Sequence, residues 1–218
     1  MFIGHFGVGL AAKSKARPAS LGTLLLASQF IDLLWPSLLL LGLERVEIVP
    51  GATKLTPLEF VSYPISHSLL TVVGWSILFG VVFYVVKRMV VPAVICGALV
   101  ASHWVLDALT HKPDLPLVPG GAQRIGLGLW NHPALEITLE VLVFSAGVFL
   151  YLRATKARDR VGTIGFWSLV GFLLVAHFGN MFGPPPPSVG AIAWSAQAMW
   201  LLVAWGYWVD RHRDLKSA

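Results

Sequence analysis

Three side chains that could hold a metal ion follow one another at four-residue intervals inside an apolar stretch: His103, Asp107 and His111. Four-residue spacing places side chains on one face of a helix. Imidazole and carboxylate groups are common ligands of zinc and other divalent metals. Because a polar or charged side chain in hydrocarbon is costly, such residues usually face a polar interior and serve a function. This ladder therefore predicts a metal or catalytic site within the membrane.

The other apolar stretches carry further side chains of the same types. The four-residue spacing recurs in His132, Glu136 and Glu140, and Gln29 and Asp32 are three residues apart. Isolated histidines complete the set: His5, His67 and His177. When depth is counted from the nearest basic cluster at about 1.5 Å of helical rise per residue, most of these residues lie in the same half of the membrane. They are therefore predicted to converge on one or two metal positions.

Several candidates also have a structural interpretation. A lone intramembrane histidine such as His177 more often forms a helix–helix hydrogen bond, and His132 could simply be interfacial. Asp114 is interpreted as a solvated loop acid at the edge of the site. The balance favours metal binding for His103 and Asp107, because both lie on one helix face well inside an apolar run.

The elements that must position these residues are apolar helices. The chain has 218 residues, of which 56% are hydrophobic and 12% are charged, whereas a soluble domain carries roughly 25% charged residues. We predict an all-α fold: one polytopic membrane helix bundle over residues 1–218, with six full spans and a short N-terminal half-helix. The predicted segments are Phe2–Ala12, Leu21–Leu43, Pro64–Val86, Val90–Leu109, Ala134–Leu152, Thr163–Phe182 and Val189–Val209.

The first segment gives only about 16 Å of helix, half of the hydrocarbon thickness. It lacks a basic start and an obvious cleavage site, so it is interpreted as mature structure and not as a signal peptide. The single cysteine, Cys96, excludes an internal disulfide. The basic residues lie at helix ends, so the net charge of +5 does not indicate nucleic-acid binding. No Gly-x-Ser-x-Gly motif is present, which argues against a serine hydrolase of that type.

Basic residues alternate from one connection to the next. Of the 16 Lys and Arg residues, 12 follow the first, third, fifth and last segments. The positive-inside rule places these connections and the C-terminus in the cytoplasm. The connections 44–63, 112–131 and 183–188 then face outward, and the candidate site faces the outer side of the membrane. The proline- and glycine-rich connection 112–131 could fold over the outer mouth as a lid.

Four short motifs occur in order along the first half of the chain. They are His5 in MFIGHFGVGLAAK, Asp32 in LASQFIDLLWP, His67 in YPISHSLL, and His103 with Asp107 in ASHWVLDALTH. Together they resemble the YdjM-like family of bacterial inner-membrane metal-dependent hydrolases, which show an N-terminal His, a Pro-Asp-x-Asp, a Thr-His-Ser and a Ser-His-x3-Asp. The resemblance covers roughly the first 115 residues and implies that these five residues are metal ligands.

The principal hypothesis is a membrane-embedded hydrolase of the bacterial inner membrane that depends on one or two divalent ions, with Zn²⁺ favoured. Phe30 stands where the family has the first acid of Pro-Asp-x-Asp, which weakens the case for two tightly bridged metals. Glu136 or Glu140 is the predicted general base. The expected substrate is a lipid-linked or amphipathic ester or phosphoester, reached from the outer leaflet.

Two alternatives stay open. The chain could be a metal-ion or proton transporter or channel, although polar residues thin out toward the inner half and no internal repeat of the transporter kind is visible. It could also be a non-catalytic membrane subunit with a structural metal site, acting as a homo-oligomer or with another membrane protein.

Overall fold

The computed structural model describes residues 1–217, most of which are helical. The elements follow in the order α1 (Ile3–Ala12), α2 (Leu21–Ser28), α3 (Phe30–Leu40), β1 (Arg45–Ile48), β2 (Leu58–Ser62), α4 (Leu69–Lys87), α5 (Val90–Thr110), β3 (Leu115–Pro116), β4 (Arg124–Ile125), α6 (Pro133–Ala154), β5 (Thr155–Ala157), α7 (Arg160–Phe182), α8 (Val189–Gln197), α9 (Met199–Arg211) and β6 (Arg213–Leu215).

The predicted all-α membrane helix bundle is confirmed. In the described chain, five helical stretches are long and apolar enough to cross a membrane: α4, α5, α6, α7, and α8 together with α9. The pair α2 and α3 makes a sixth span if it counts as one, but it is bent by 57°. The second predicted span is therefore a broken helix. Helix α1 has ten residues, or about 15 Å, which is half of a span.

Three two-stranded antiparallel sheets lie at the two ends of the bundle. Strands β1 and β2 pair with each other, as do β3 and β4, and both pairs lie at what we call the hairpin end. Strand β5, between α6 and α7, pairs with β6 after α9 at the opposite, basic end. Most of the Lys and Arg residues cluster at the basic end. The β5–β6 pairing fixes the C-terminal strand against the α6–α7 connection.

The break between α2 and α3 falls at Gln29, whose backbone (φ −103°, ψ 5°) leaves the helical region. It does not fall at Pro36, which lies inside α3. Ser28 is the last residue of α2, and its carbonyl accepts a hydrogen bond from the side chain of His103 on α5. A broken helix exposes backbone carbonyls that other groups inside the protein can then satisfy.

Helix α3 ends in a tight glycine turn. Gly42 has φ +70°, a left-handed conformation that glycine adopts without steric cost. The amide of Leu43 donates to the carbonyl of Leu38, as in a Schellman C-cap. The turn directs the chain back along the hairpin end. Glu44, two residues after Gly42, is buried there.

Glycines let α1 lie in close contact with α6. A Cβ added at Gly147 would stand 2.1 Å from the carbonyl oxygen of Gly7, and one added at Gly7 would stand 2.7 Å from the Cα of Phe144. Small residues at such crossings allow helix backbones to approach closely in membranes. This crossing fixes the position of α1, which carries His5.

The apolar core has two parts. One groups α2, α3 and α5 with the first hairpin, around Ile31, Trp35 and Val100. The other groups α1, α6, α7 and α9, around Phe6 and Phe166. By contrast, α4 packs mainly on α5, and most of its apolar surface is not covered by the protein. Helix α4 therefore lies at the periphery of the bundle.

Replacing Gly147 by alanine is expected to destabilise the protein by about 1–3 kcal/mol, since the new methyl group meets backbone that cannot rotate away. The unfolding midpoint in a detergent or thermal titration measures this loss. Gly171→Ala on α7 is the matched control, because a Cβ there meets nothing within 4 Å. Equal midpoints for the two variants would contradict a close α1–α6 contact.

Candidate metal centre

Five residues predicted as ligands come together from four parts of the chain. His5 lies on α1, Asp32 on α3, His67 just before α4, and His103 and Asp107 on α5. They form two overlapping groups, His5–His103–Asp107 and Asp32–His67–His103, and within each group the potential ligand atoms lie within 4.8 Å of one another. This buried set of histidines and aspartates could hold a metal ion.

The distances around Nε2 of His103 suit a tetrahedral ion. This nitrogen lies 3.1 Å from Oδ2 of Asp107 and 3.4 Å from Oδ1 of Asp32. Nε2 of His67 lies 3.7 Å from Oδ1 of Asp32 and 3.8 Å from Oδ2 of Asp107. Ligands about 2.1 Å from a tetrahedral ion stand roughly 3.4 Å apart. Asp32, His67 and His103 are thus spaced as ligands around a common centre, and Asp107 lies close to both histidines.

The ring of His103 is fixed in the tautomer that a metal requires. Its Nδ1 lies 2.9 Å from the carbonyl oxygen of Ser28, which can only accept, so Nδ1 carries the proton. In the neutral ring, Nε2 then presents its lone pair. Nε2 is buried and makes no hydrogen bond to the described residues, although the carboxylates are close. A buried polar atom without a partner indicates that a further group belongs there.

A hydrogen-bond chain fixes His67 in the same way. Ser66 Oγ donates to Oε2 of Glu44 at 2.6 Å and accepts from Nδ1 of His67 at 2.7 Å. The other oxygen of Glu44 accepts the backbone amides of Ile65 and Ser66, each at 2.8 Å. Carboxylate partners of this kind orient metal-binding imidazoles in known sites and raise their basicity. Nε2 of His67 is consequently left to face Asp32 and Asp107.

Sequence reasoning missed Glu44, Ser66 and the Ser28 carbonyl as partners of the ligands. Ser66 directly precedes His67, so a side-chain hydrogen bond between neighbours was a detectable signal. Glu44 lies 22 residues before Ser66, in a connection that was predicted to face outward. No local pattern indicated that it would return to the site.

His5 approaches the cluster from the half-helix. Its Nε2 lies 3.0 Å from Oδ1 of Asp107, and its ring stacks on that of His103 with 3.7 Å between centroids. The amine of Met1 donates to the same oxygen of Asp107 at 2.9 Å. Oδ1 of Asp107 thus lies on the α1 side, beside Nε2 of His5 and the amine of Met1, while Oδ2 faces His103 and His67.

Glu140 caps the amino end of α1. Its carboxylate accepts the backbone amides of Phe2 and Gly4 at 2.9–3.0 Å. A helix that begins inside the protein needs acceptors for its first amides, and a negative charge there also suits the helix dipole. Glu140 therefore positions α1 and, with it, His5.

Glu136 lies one turn before Glu140 on α6 and is fully buried. Neither of its carboxylate oxygens has a hydrogen-bond partner among the described residues. It is also absent from the wall of the cavity that opens at the ligand cluster. The catalytic role assigned to Glu136 and Glu140 from the sequence stays a prediction.

A cavity of about 140 Å³ lies against the ligand cluster. Asp32, His67, Asp107 and His111 provide its polar wall. Met1 and three aromatic side chains provide the rest: Trp35, Phe60 and Trp130. Trp130 belongs to the connection 112–131, and its ring centroid lies 4.1 Å from that of His111. The connection expected to act as a lid therefore forms part of the cavity wall.

Beside the cavity, His111 is anchored by a buried acid. Asp114 Oδ1 accepts from the hydroxyl of Tyr63 at 2.7 Å and from Nδ1 of His111 at 3.0 Å. The interpretation of Asp114 as a solvated loop acid is wrong, because it is only 6% exposed. Tyr63 and His111 lie outside the spanning helices. Burial raises the pKa of the Tyr63 phenol, and burial lowers the pKa of His111, which keeps both groups neutral near pH 7.

Two further histidines lie away from the cluster. His177 is buried on α7, but its side chain makes no hydrogen bond to the described residues, so the expected helix–helix bond is wrong. Its ring stacks on Phe2 at 6.4 Å between centroids. His132 is exposed at the start of α6, as an interfacial position would be.

No family model, curated protein or solved structure matches the chain. The resemblance described above therefore stays a prediction, and the geometry of the site carries the argument that follows.

Ser66→Ala removes the acceptor that fixes the His67 ring and is expected to weaken Zn²⁺ affinity about 10–100-fold. Competition with a chromophoric chelator measures the change on purified protein. Ser195→Ala is the control, since that hydroxyl bonds only the carbonyl of Ile192 within α8. If both variants kept wild-type affinity, the Glu44–Ser66–His67 chain would have no role in metal binding.

Proposed function

We propose that this chain is a membrane-embedded metal-dependent hydrolase. The observation that carries the proposal is the set of imidazole nitrogens and carboxylate oxygens of His67, His103, Asp32 and Asp107, which lie close together beside a cavity. Such a concentration of electron-rich atoms inside an apolar protein is costly unless a cation joins them. Histidine and aspartate ligands favour Zn²⁺ among the common divalent ions.

The donor set fits one ion better than two. Both groups of ligands use the same atom, Nε2 of His103, and an imidazole nitrogen binds a single ion. His67, His103, Asp32 and Asp107 would hold it, with His5 as a further ligand from α1. When bound, Zn²⁺ supplies a Lewis acid for a substrate oxygen and a water of near-neutral pKa.

His111 is the best placed proton acceptor for a hydrolytic reaction. Its ring forms part of the cavity wall, and its Nδ1–H is held by Asp114. The remaining nitrogen, Nε2, is therefore free to take a proton from an attacking water and to return it to the leaving group. Glu136 does not line this cavity, and Glu140 is engaged with the α1 amides. We therefore assign the base to His111 and a positioning role to Glu140.

The shape and place of the cavity support an amphipathic substrate. Its volume of about 140 Å³ accommodates an ester or phosphoester group but not a whole lipid. Aromatic side chains, which are enriched at membrane interfaces, form the remaining wall. A lipid-linked substrate could keep its chains in the bilayer while its polar group enters the cavity.

The positive-inside rule supports an orientation with the basic end and the C-terminus in the cytoplasm. The hairpin end and the cavity then face the outer side of a bacterial inner membrane. This location rests on charge distribution and on the family resemblance.

Replacing His103 by alanine is expected to lower bound zinc at least tenfold and to abolish hydrolysis, because it removes the atom common to both ligand groups. Elemental analysis gives the zinc content, and release of p-nitrophenol from bis(p-nitrophenyl) phosphate or p-nitrophenyl butyrate in mixed micelles gives the activity. His177→Ala, a buried histidine away from the cluster, should change neither. Full zinc content in folded His103→Ala would overturn the metal site, whereas zinc-dependent ion flux without hydrolysis would favour a transporter.

His111→Gln is expected to keep its zinc and to lower kcat by about 10²–10⁴, the usual contribution of a general base. The same assay applied to Glu136→Gln compares the two candidate bases, and a loss below tenfold is expected there. His132→Gln serves as the control for a histidine outside the cavity. Equal kcat values for His111→Gln and wild type would assign the base elsewhere.

A further inference from the structure

A second cavity lies on the lipid-facing side of the bundle. It has a volume of about 440 Å³ and runs between α4 on one side and α2, α3 and the end of α9 on the other. Its lining is apolar over most of its length, with Phe30, Phe79 and Val82 among the contributing residues. None of the residues of the candidate metal centre lines it. This groove is thus separate from the proposed active site.

The groove has one aromatic end and one polar end. At the aromatic end, the ring of Phe30 lies 5.7 Å from the rings of Trp75 and Phe79, measured between centroids. At the other end lie Lys87, the last residue of α4, and the hydroxyls of Thr23 and Tyr207, which hydrogen-bond each other at 2.9 Å. A ligand that fits both ends must be amphipathic.

The charge at the polar end is uncompensated. Lys87 is exposed and makes no ion pair or hydrogen bond to any residue between 1 and 217 that the structure describes, and the same holds for the side chain of the following Arg88. The nearby Asp210 is paired with Lys13 at 3.1 Å. An ammonium group beside two hydroxyls is complementary to a phosphate.

The length of the groove matches one leaflet. Trp75 and Lys87 are twelve residues apart on α4, which corresponds to about 18 Å along the helix. Half of a hydrocarbon core is roughly 15 Å thick. An acyl chain that started at the depth of Lys87 would therefore end near the aromatic cluster of Phe30.

We propose that this groove binds one acyl chain of an anionic phospholipid, whose phosphate group lies against Lys87, Thr23 and Tyr207. The apolar wall is complementary to the acyl chain, and the unpaired lysine favours a negatively charged head group. A single lysine or arginine near an anionic membrane surface contributes only a small electrostatic attraction. The preference for an anionic lipid should therefore be modest but measurable.

Native mass spectrometry of the purified full chain tests this with palmitoyl-oleoyl phosphatidylglycerol and the corresponding phosphatidylcholine as probes. The wild type should retain one phosphatidylglycerol and bind it in preference to phosphatidylcholine. Lys87→Gln should lower that preference about fivefold, the effect of one surface charge. Lys156→Gln, an exposed lysine elsewhere on the basic end, should leave it unchanged.

A second pair of variants tests whether the apolar part of the groove binds the acyl chain. Val82→Trp fills the groove and should reduce bound lipid at least tenfold. Val85→Trp, which places the same side chain on α4 outside the groove lining, should not. Equal retention of both lipids by wild type, or equal loss in both tryptophan variants, would overturn the proposal. So would a lipid-free dimer whose interface is α4. None of these outcomes depends on whether the chain is a hydrolase.

Discussion

Two imidazole nitrogens, of His67 and His103, lie close to carboxylate oxygens of Asp32 and Asp107 inside an apolar bundle. The need to hold these polar atoms together is the constraint on which the candidate metal centre depends. The Nδ1–H group of His103 donates a hydrogen bond to the Ser28 carbonyl, and that of His67 donates to Oγ of Ser66, which in turn donates to Glu44. Both Nε2 lone pairs are thereby turned toward the carboxylates of Asp32 and Asp107. In a medium of low dielectric constant, only a positive charge at that point offsets the mutual repulsion. Every irregular feature of the fold around the site serves this convergence.

Those irregular features are of three kinds. The break at Gln29 frees the Ser28 carbonyl for His103 and turns α3 so that Asp32 reaches the cluster. The glycine turn at Gly42 returns the chain so that Glu44 can hold Ser66. The half-helix α1 begins within the protein, where Glu140 binds its first amides and brings His5 to Asp107.

Local patterns predicted much of this architecture. Long apolar segments indicated the spanning helices, and the four-residue spacing of His103 and Asp107 placed both on one face of α5, as observed. Such patterns could not predict contacts between distant parts of the chain. Asp114 hydrogen-bonds Tyr63, 51 residues earlier. The partner of His67 is held by a carboxylate from the connection 44–63, which was predicted only to face outward.

The break in the second span shows the same limit. Proline is the usual cause of a helix kink, yet Pro36 lies within α3 and the chain bends at Gln29. The position of the bend thus does not coincide with the residue that a sequence pattern would indicate. The sequence therefore indicated which side chains could meet, while the acceptors that orient them required the folded chain.

The peripheral position of α4 has a mechanical consequence. His67 lies two residues before this helix, whose main protein contact is α5 and whose remaining surface is not covered by the protein. A bilayer thicker or thinner than the apolar length of a helix changes its tilt. Membrane thickness would therefore change the distance between His67 and the candidate ligands carried by α3 and α5, and with it the geometry of the candidate metal centre.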